Sequence, residues 1–410
     1  MNKSKKILLG MTNFIKILYL RRSYFSSYVL SGLIQITISL SQMIVVIKIC
    51  GLDEWKIQVL GILAGGLFGT LIDRGFSLGS NGVIGRLNHS ELKLFFRNSL
   101  LLRFKYYLIF LCIAPFVSLL LFGRLDFLFL AFLCSQSFLS LASDWLLIAL
   151  DDRRVYMRHI TLPKVLFSLI SIVFVLITES SIPLVFVSFA IVFWGNYKIN
   201  TFLQKRIPES FNHKLISEEL QLGRVALSKV LGDIYWLAPG LILQLLSPDY
   251  LIYFLLWDRI TKFFLAPSMS ASQSLTGYLS KTEWTVRQRT YLTLSFHLFL
   301  ATSFSVSGFY LIRLFYPIFS DRVFLSDTSL FLTSCFLFLV ILNRGFILHV
   351  FYMSRDAVSA LLGNLFLLIC LILLIYPKQS ITFEESILLL VFPQLLVFFF
   401  YSIRIRLLLS

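Results

Sequence analysis

The sequence predicts an all-α integral membrane protein, with about twelve transmembrane helices in two six-helix bundles around a central cavity. Three observations carry this prediction. Apolar residues make up 58% of the 410-residue chain and charged residues only 14%, whereas soluble domains carry about 25% charged residues. Apolar runs of about 20 residues, the length that crosses a bilayer, recur along the whole chain. Polar and basic residues concentrate in the short segments between these runs.

Twelve apolar runs qualify as membrane spans. They cover approximately residues 23–49, 57–85, 104–122, 127–149, 160–178, 182–203, 223–246, 250–279, 290–314, 328–353, 357–376 and 384–403. Five of the runs contain a proline beyond their first two residues: Pro115, Pro163, Pro239, Pro267 and Pro393. We expect kinks there, because neighbouring helices can satisfy the carbonyls that a proline leaves free.

The longest internal polar stretch, 204–222, falls between the sixth and seventh predicted spans. We therefore expect four parts: a cytoplasmic N-terminal segment at 1–22, an N-terminal six-helix bundle at 23–203, a cytoplasmic linker at 204–222 and a C-terminal six-helix bundle at 223–410.

The basic residues predict the orientation of the chain. With the N-terminus in the cytoplasm, 27 of the 37 Lys and Arg residues fall in cytoplasmic segments and 6 in outward ones, which is the positive-inside pattern. Both termini are then cytoplasmic. The net charge of +16 is explained by this orientation, so we expect no nucleic-acid partner. The first 22 residues lack the apolar core and small-residue cleavage site of a signal peptide.

The run at 57–85 carries polar residues that are unusual inside a span. On one continuous helix, the following residues fall within an arc of about 100°: Gly66, Thr70, Asp73, Arg74, Ser77 and Asn81. Such a face is tolerated in a membrane only where it looks into a helix bundle or a water-filled cavity.

Other ionisable residues also lie within predicted spans. The cations are Arg74, Arg259, Lys262 and Arg344, and the carboxylates are Asp73, Asp144, Asp233 and Asp258. One interpretation is that they form ion pairs between helices, and the i,i+4 spacing of Asp258 and Lys262 fits a pair within one helix. The other is that some Asp residues pair elsewhere and leave a cationic cavity. Such a cavity suits a phosphate, because the planar fork of arginine binds two oxygens at once.

Motifs of enzymes and cofactor sites are missing from the sequence. It contains no HExxH, no P-loop lysine motif and no GxSxG, and its five cysteines show no CxxC spacing. We therefore expect no enzyme activity, no cofactor and no metal. Gly65 and Gly69 are better explained by close helix packing than by a cofactor loop. Lone histidines such as His297 are more often interior residues with hydrogen-bond partners than ligands.

Two segments resemble a known family. Cys50-Gly51-Leu52-Asp53-Glu54-Trp55 leads into a helix that reaches Asp73-Arg74-Gly75-Phe76-Ser77, and Asp144-Trp145-Leu146-Leu147-Ile148-Ala149-Leu150-Asp151 precedes Arg153-Arg154. Both are similar to segments of the Wzx-type O-antigen and polysaccharide flippases of the multidrug/oligosaccharidyl-lipid/polysaccharide exporter superfamily. The resemblance covers roughly residues 30–175.

The resemblance implies a function in O-antigen or lipopolysaccharide biosynthesis. A flippase of this family would move an undecaprenyl-diphosphate-linked oligosaccharide from the inner to the outer leaflet of the bacterial inner membrane by alternating access. The four intramembrane cations would bind the diphosphate or acidic sugars. The four carboxylates would serve gating or coupling to a counter-ion, H+ or Na+.

Two alternatives stay open at this point. One is an exporter of drugs or other small molecules with the same fold, which the several intramembrane cations disfavour where the cargo is cationic. The other is a membrane enzyme such as an O-antigen polymerase, which would need larger outward loops than the roughly dozen residues of the longest one here.

Overall fold

The computed structural model describes residues 22–79, 89–150, 153–206, 219–281, 285–319, 326–347, 357–375 and 382–409. Within these ranges the chain is almost entirely helical and contains no strand. Nine helices of the described chain are long and apolar enough to cross a bilayer. The protein is a multi-pass integral membrane protein, and the predicted all-α membrane fold is confirmed.

The helices follow one another with short connections. The first part of the chain forms α1 (Arg22–Ile49), α2 (Leu52–Asp73), α3 (Phe76–Gly79), α4 (His89–Phe122), α5 (Phe127–Phe138), a 3₁₀ turn (Leu139–Leu141), α6 (Asp144–Ala149), α7 (Arg153–Tyr156), a π turn (Met157–Thr161), α8 (Leu162–Thr178) and α9 (Pro183–Arg206). The second part forms α10 (Glu219–Leu246), α11 (Pro248–Lys281), α12 (Val286–Phe319), α13 (Asp327–Gly345), α14 (Ala357–Ile375) and α15 (Phe383–Leu409).

The chain divides into two compact units. One comprises the described residues of Ile34–Ile252, and the other those of Met1–Leu33 and Tyr253–Ser410. By its contacts α10 belongs to the first unit, where it packs against α2. Most of the predicted linker at 204–222 lies outside the described residues, so the four-part division of the sequence stays a prediction.

The continuous helix predicted over 57–85 is wrong. Helix α2 ends at Asp73, because Arg74 adopts a left-handed conformation with φ of 50° and its N–H binds the Thr70 carbonyl. Gly75 follows with φ of 77°, a conformation that glycine adopts without steric cost. The chain restarts as the short helix α3, and Asn81 lies outside the described residues.

The span predicted at 127–149 is also interrupted. Helix α5 tightens into the 3₁₀ turn, and Ala142 is extended, with ψ of 137°. Helix α6 then begins at Asp144. A break of this kind leaves backbone carbonyls without helical partners, and inside a membrane protein other groups must bind them.

Small residues set the distance between α2 and α5. A Cβ atom built on Gly61 would lie 2.7 Å from the Phe129 carbonyl oxygen, and one on Gly65 would lie 2.5 Å from the Leu133 carbonyl oxygen. A Cβ on Gly69 would meet its nearest neighbour only at 3.6 Å. The close packing predicted for Gly65 and Gly69 therefore applies to Gly61 and Gly65, one turn earlier.

The prolines occupy two kinds of position. Pro115, Pro239 and Pro393 lie inside helices, as does Pro267. Pro163 instead lies in the first turn of α8, where a proline is tolerated because its missing N–H has no intrahelical partner.

Candidate functional site: buried charges in the two units

The polar face of α2 lies against α10. A Cβ on Gly66 would meet the Leu237 side chain at 3.1 Å. One turn on, Thr70 donates a hydrogen bond of 2.5 Å to Asp233. The predicted face therefore exists up to the end of α2, and it is the antiparallel helix α10 that covers it.

Asp73 is the most buried carboxylate of this face, with 3% of its surface exposed. The Lys229 ammonium of α10 donates to its Oδ2 at 2.8 Å. Ser77 donates its hydroxyl to the same oxygen at 2.7 Å, and Lys229 also donates to the Ser77 hydroxyl at 2.9 Å. Asp73 thus closes the turn between α2 and α3 and links that turn to α10 at the same time.

Arg103 of α4 is fully buried and binds the broken end of α5. Its Nη1 donates to the carbonyl oxygens of Ser140 at 2.8 Å and Ala142 at 3.0 Å. Its Nη2 donates to the Ser143 hydroxyl at 2.7 Å, and its Nε to the Ser99 carbonyl at 3.1 Å. The guanidinium therefore satisfies the carbonyls that the break between α5 and α6 exposes. No carboxylate is needed for this, although the charge of Arg103 also acts on Asp73 and Asp144.

The two segments that carry the family resemblance meet at Arg103. Its guanidinium carbon lies 5.9 Å from the centre of the Phe76 ring and 5.6 Å from that of Trp145, within the range of cation–π attraction. Next to Trp145, Asp144 accepts a hydrogen bond of 3.2 Å from Lys164 of α8. One buried arginine thus joins the turn after α2 to the start of α6.

Arg74 points away from this network. The residue is exposed, and its guanidinium lies 5.0 Å from the centre of the Tyr106 ring. Arg74 and Asp73 were predicted to share one helical face, and this is wrong, because the left-handed turn at Arg74 separates them.

The second unit contains the charged residues of α11. Asp258 is buried, and Lys262 donates to its Oδ2 at 2.7 Å, which confirms the predicted i,i+4 pair. Arg259 stands beside them. Its Nε and Nη2 atoms are buried and have no hydrogen-bond partner among the described residues. A buried guanidinium with unused donors is costly unless a ligand or water binds it.

Arg344 lies in the last turn of α13 in the same unit, between two closely packed residues. Asn343 donates to the backbone and side-chain oxygens of Gln394 at 2.9 and 2.8 Å. Gly345 abuts the His297 ring so closely that a Cβ could not be accommodated. His297 hydrogen-bonds Ser272 at 2.8 Å and the Thr293 carbonyl at 2.9 Å, as expected of an interior histidine.

Lys229 and Arg103 were not predicted as site residues, and both were counted among the cytoplasmic cations. Arg103 precedes the span predicted at 104–122, whereas Lys229 lies inside the span predicted at 223–246 but was assigned to the polar segment before it. Helix α4 starts at His89 and α10 at Glu219, so both cations lie inside helices. The i,i+4 spacing of Lys229 and Asp233 was a usable signal, whereas nothing local to Arg103 identifies its carbonyl partners on α5.

Comparison with known proteins gives a fold. No protein-family model matches the sequence, and no curated protein matches it. Among solved structures, the MATE multidrug transporter DinF-BH is similar, with a TM-score of 0.68, 17% identity and 95% of each chain covered. The MATE transporter ClbM in complex with Rb+ has a TM-score of 0.58 and 13% identity, covering 94% of this chain and 95% of that one. The Vibrio cholerae MATE transporter VcmN has a TM-score of 0.52 and 14% identity, and the match covers 97% of this chain and 98% of that one. The chain has a MATE-like fold, in which twelve transmembrane helices are arranged in bundles.

Proposed function

We propose that this protein is a flippase that moves an undecaprenyl-diphosphate-linked oligosaccharide from the inner to the outer leaflet of the bacterial inner membrane by alternating access. The proposal combines the two motif segments with a fold shared with membrane transporters. In the second unit, the cations Arg259, Lys262 and Arg344 would contact the anionic part of the cargo. The exposed Arg74 of the first unit is a further candidate for a cargo contact.

The observation that carries the proposal is that Arg259 has buried hydrogen-bond donors without an acceptor among the described residues. Its neighbour Asp258 is already paired with Lys262 at 2.7 Å, so the carboxylate that could neutralise Arg259 is engaged elsewhere. The buried Nε and Nη2 donors of Arg259 have no acceptor within the described chain. Two adjacent guanidinium donors match two oxygens of one phosphate, and a diphosphate headgroup supplies such oxygens. Arg259 is therefore the first candidate for the headgroup contact.

The carboxylates differ in their suitability for coupling to H+ or Na+. Asp73, Asp144 and Asp258 each accept from a lysine at 2.8, 3.2 and 2.7 Å, respectively. Asp233 accepts from the Thr70 hydroxyl, and no cation of the described residues forms an ion pair with it. A carboxylate without a fixed cation can exchange a proton or a metal ion without breaking a salt bridge. We infer that Asp233 is the coupling residue and that the other three hold helices in place or gate them.

A second candidate function is export of a small molecule. DinF-BH, which shares the fold, is described as a multidrug transporter. An exporter of cationic drugs would gain nothing from the unused donors of Arg259, so an anionic or amphiphilic small molecule would be the alternative cargo.

A complementation experiment separates these functions. The gene is deleted in its host, and the strain is complemented with wild type, Arg259→Lys, Arg259→Gln or the control Arg287→Gln, which changes an exposed arginine of α12. Surface polysaccharide and the leaflet position of lipid-linked repeat units are measured, together with membrane insertion of each variant.

We expect single repeat units to accumulate in the cytoplasmic leaflet of the deletion strain and of Arg259→Gln, with partial recovery in Arg259→Lys. Accumulation of flipped but unpolymerised units would indicate a polymerase instead. Unchanged surface polysaccharide in the deletion strain would reject both the flippase and the polymerase, and export of a small molecule would then be the remaining function.

A further inference from the structure

A cluster of basic and aromatic residues on the outer surface of the first unit takes no part in the buried network. Arg158 and His159 lie on the π turn before α8, and Trp194, Tyr197 and Lys198 lie on α9. We call these five residues the Lys198 patch. The π turn packs against α9, and the charges of both Lys198 and Arg158 act on the His159 ring, so two different elements contribute basic residues to one region of the surface.

The packing of the π turn against α9 brings the patch together. A Cβ on Gly195 would meet the Ile160 side chain at 3.3 Å, so the absence of a side chain at Gly195 lets the turn approach α9 closely. A π turn inserts an extra residue into a helix and is often found at functional sites. Here it carries Arg158 and His159 and packs against α9, the helix of Lys198.

The ammonium of Lys198 is held over aromatic rings. Its Nζ lies 4.5 Å from the centre of the Trp194 ring and 5.4 Å from that of Tyr197. Trp194 is 38% exposed and Tyr197 62%, so both rings remain accessible to lipid. A lysine near the end of a span normally extends its ammonium toward water. Lys198 instead folds back toward Trp194, one turn deeper along the helix.

Within the described residues, no carboxylate forms an ion pair with a cation of the patch. The nearby Lys164, in contrast, is paired with Asp144 at 3.2 Å. Lys198 lies 15 residues after the start of α9, which corresponds to about 22 Å along the helix. The hydrocarbon core is about 30 Å thick, so the patch lies near one membrane interface. The positive-inside pattern predicts that this is the cytoplasmic one.

We propose that the Lys198 patch binds the phosphate headgroup of an anionic glycerophospholipid of the membrane. The negative headgroup would neutralise the charges of Arg158 and Lys198, while Trp194 and Tyr197 would contact the glycerol and upper acyl region. Aromatic rings favour this depth of the bilayer. The site is separate from the buried cations proposed to contact cargo, and it would be occupied whether or not cargo is present.

The test uses the full-length purified protein in detergent, titrated with phosphatidylglycerol or phosphatidylcholine and followed by native mass spectrometry. The variants are Lys198→Gln, Arg158→Gln, the charge-conserving Lys198→Arg, and Arg97→Gln, which removes an exposed cation of α4 outside the patch. The thermal unfolding midpoint without added lipid verifies that each variant is folded.

We expect wild type to bind phosphatidylglycerol more tightly than phosphatidylcholine. Lys198→Gln and Arg158→Gln should each weaken phosphatidylglycerol binding by about fivefold, the effect of one basic residue near an anionic surface. Lys198→Arg and Arg97→Gln should bind as wild type does, and 10 mM inorganic phosphate should not compete. Equal binding of both lipids, unchanged binding in both Gln variants, an equal loss in Arg97→Gln, or displacement by free phosphate would each overturn the proposal.

Discussion

The Lys229 ammonium of α10 lies 2.8 Å from the Asp73 carboxylate of α2. Asp73 is 3% exposed, so its charge depends on Lys229 and on the hydroxyl of Ser77. Removing one member of a buried pair leaves an uncompensated charge, which is far more costly than removing both. This asymmetry gives the interaction a measurable signature.

We expect Asp73→Asn and Lys229→Met each to destabilise the protein by about 3–5 kcal/mol, and the double variant to cost clearly less than their sum. Thermal unfolding of the purified protein in detergent measures the effect. Asp53→Asn, at an exposed residue in the first turn of α2, is the control and should change little. Strictly additive losses would contradict a direct pair.

The fold was predictable from sequence, because its signals are local. A run of about 20 apolar residues must be a helix in a membrane, since only a helix satisfies its own backbone there. The site was less predictable, because its contacts are not local. The left-handed turn at Arg74 takes this residue out of α2, and the periodicity of an unbroken helix cannot anticipate this. Which lysine meets Asp73 depends on the packing of α10 against α2, some 156 residues away in sequence.

Arg103 is expected to be the residue that holds the break between α5 and α6. Arg103→Met would leave the Ser140 and Ala142 carbonyls without donors, and each unsatisfied buried group costs about 1–3 kcal/mol. Arg103→Lys should recover only part of this loss, because an ammonium lacks the planar fork that reaches both carbonyls and Ser143. Unfolding midpoints measured in detergent should fall from wild type to Arg103→Lys and further to Arg103→Met.

The matched control for Arg103 is Arg97→Met, an exposed position on the same helix. It should lie within about 0.5 kcal/mol of wild type. Equal stability of Arg103→Lys and wild type would show that charge alone is sufficient and that the carbonyl contacts contribute little.

The glycines of α2 should differ in their tolerance of a methyl group. In Gly65→Ala the new Cβ would lie 2.5 Å from the Leu133 carbonyl oxygen, so α2 and α5 must move apart, at a cost of about 1–3 kcal/mol. Gly69→Ala meets only an ordinary contact at 3.6 Å. Alanine also favours a helix over glycine, so this variant should be neutral or slightly stabilising. Unfolding midpoints of the two variants, compared side by side, decide the matter, and equal losses would contradict the observed packing.

Cys50, in the connection between α1 and α2, should react slowly with thiol reagents. Burial, with the negative charge of Glu54 and a hydrogen bond to it as further causes, raises the pKa of the Cys50 thiol from 9.0 to about 11. The reactive species is the thiolate, and a raised pKa lowers its fraction below pH 9. Two pKa units reduce that fraction about 100-fold.

We therefore expect alkylation of Cys50 at pH 8 to be about 100-fold slower than that of an ordinary thiol of pKa 9.0, and to accelerate as the pH rises toward 11. Glu54→Gln should shift the profile of alkylation rate against pH to lower pH, because it removes the negative charge of Glu54. The increase in the Cys50 pKa that burial causes should remain. The amide oxygen can still accept the Ser181 N–H, which Glu54 now accepts at 2.6 Å. Rates are measured by mass spectrometry of the Cys50 peptide, with Asp53→Asn as the neighbouring charge control. A profile unchanged in Glu54→Gln would contradict the role of that carboxylate.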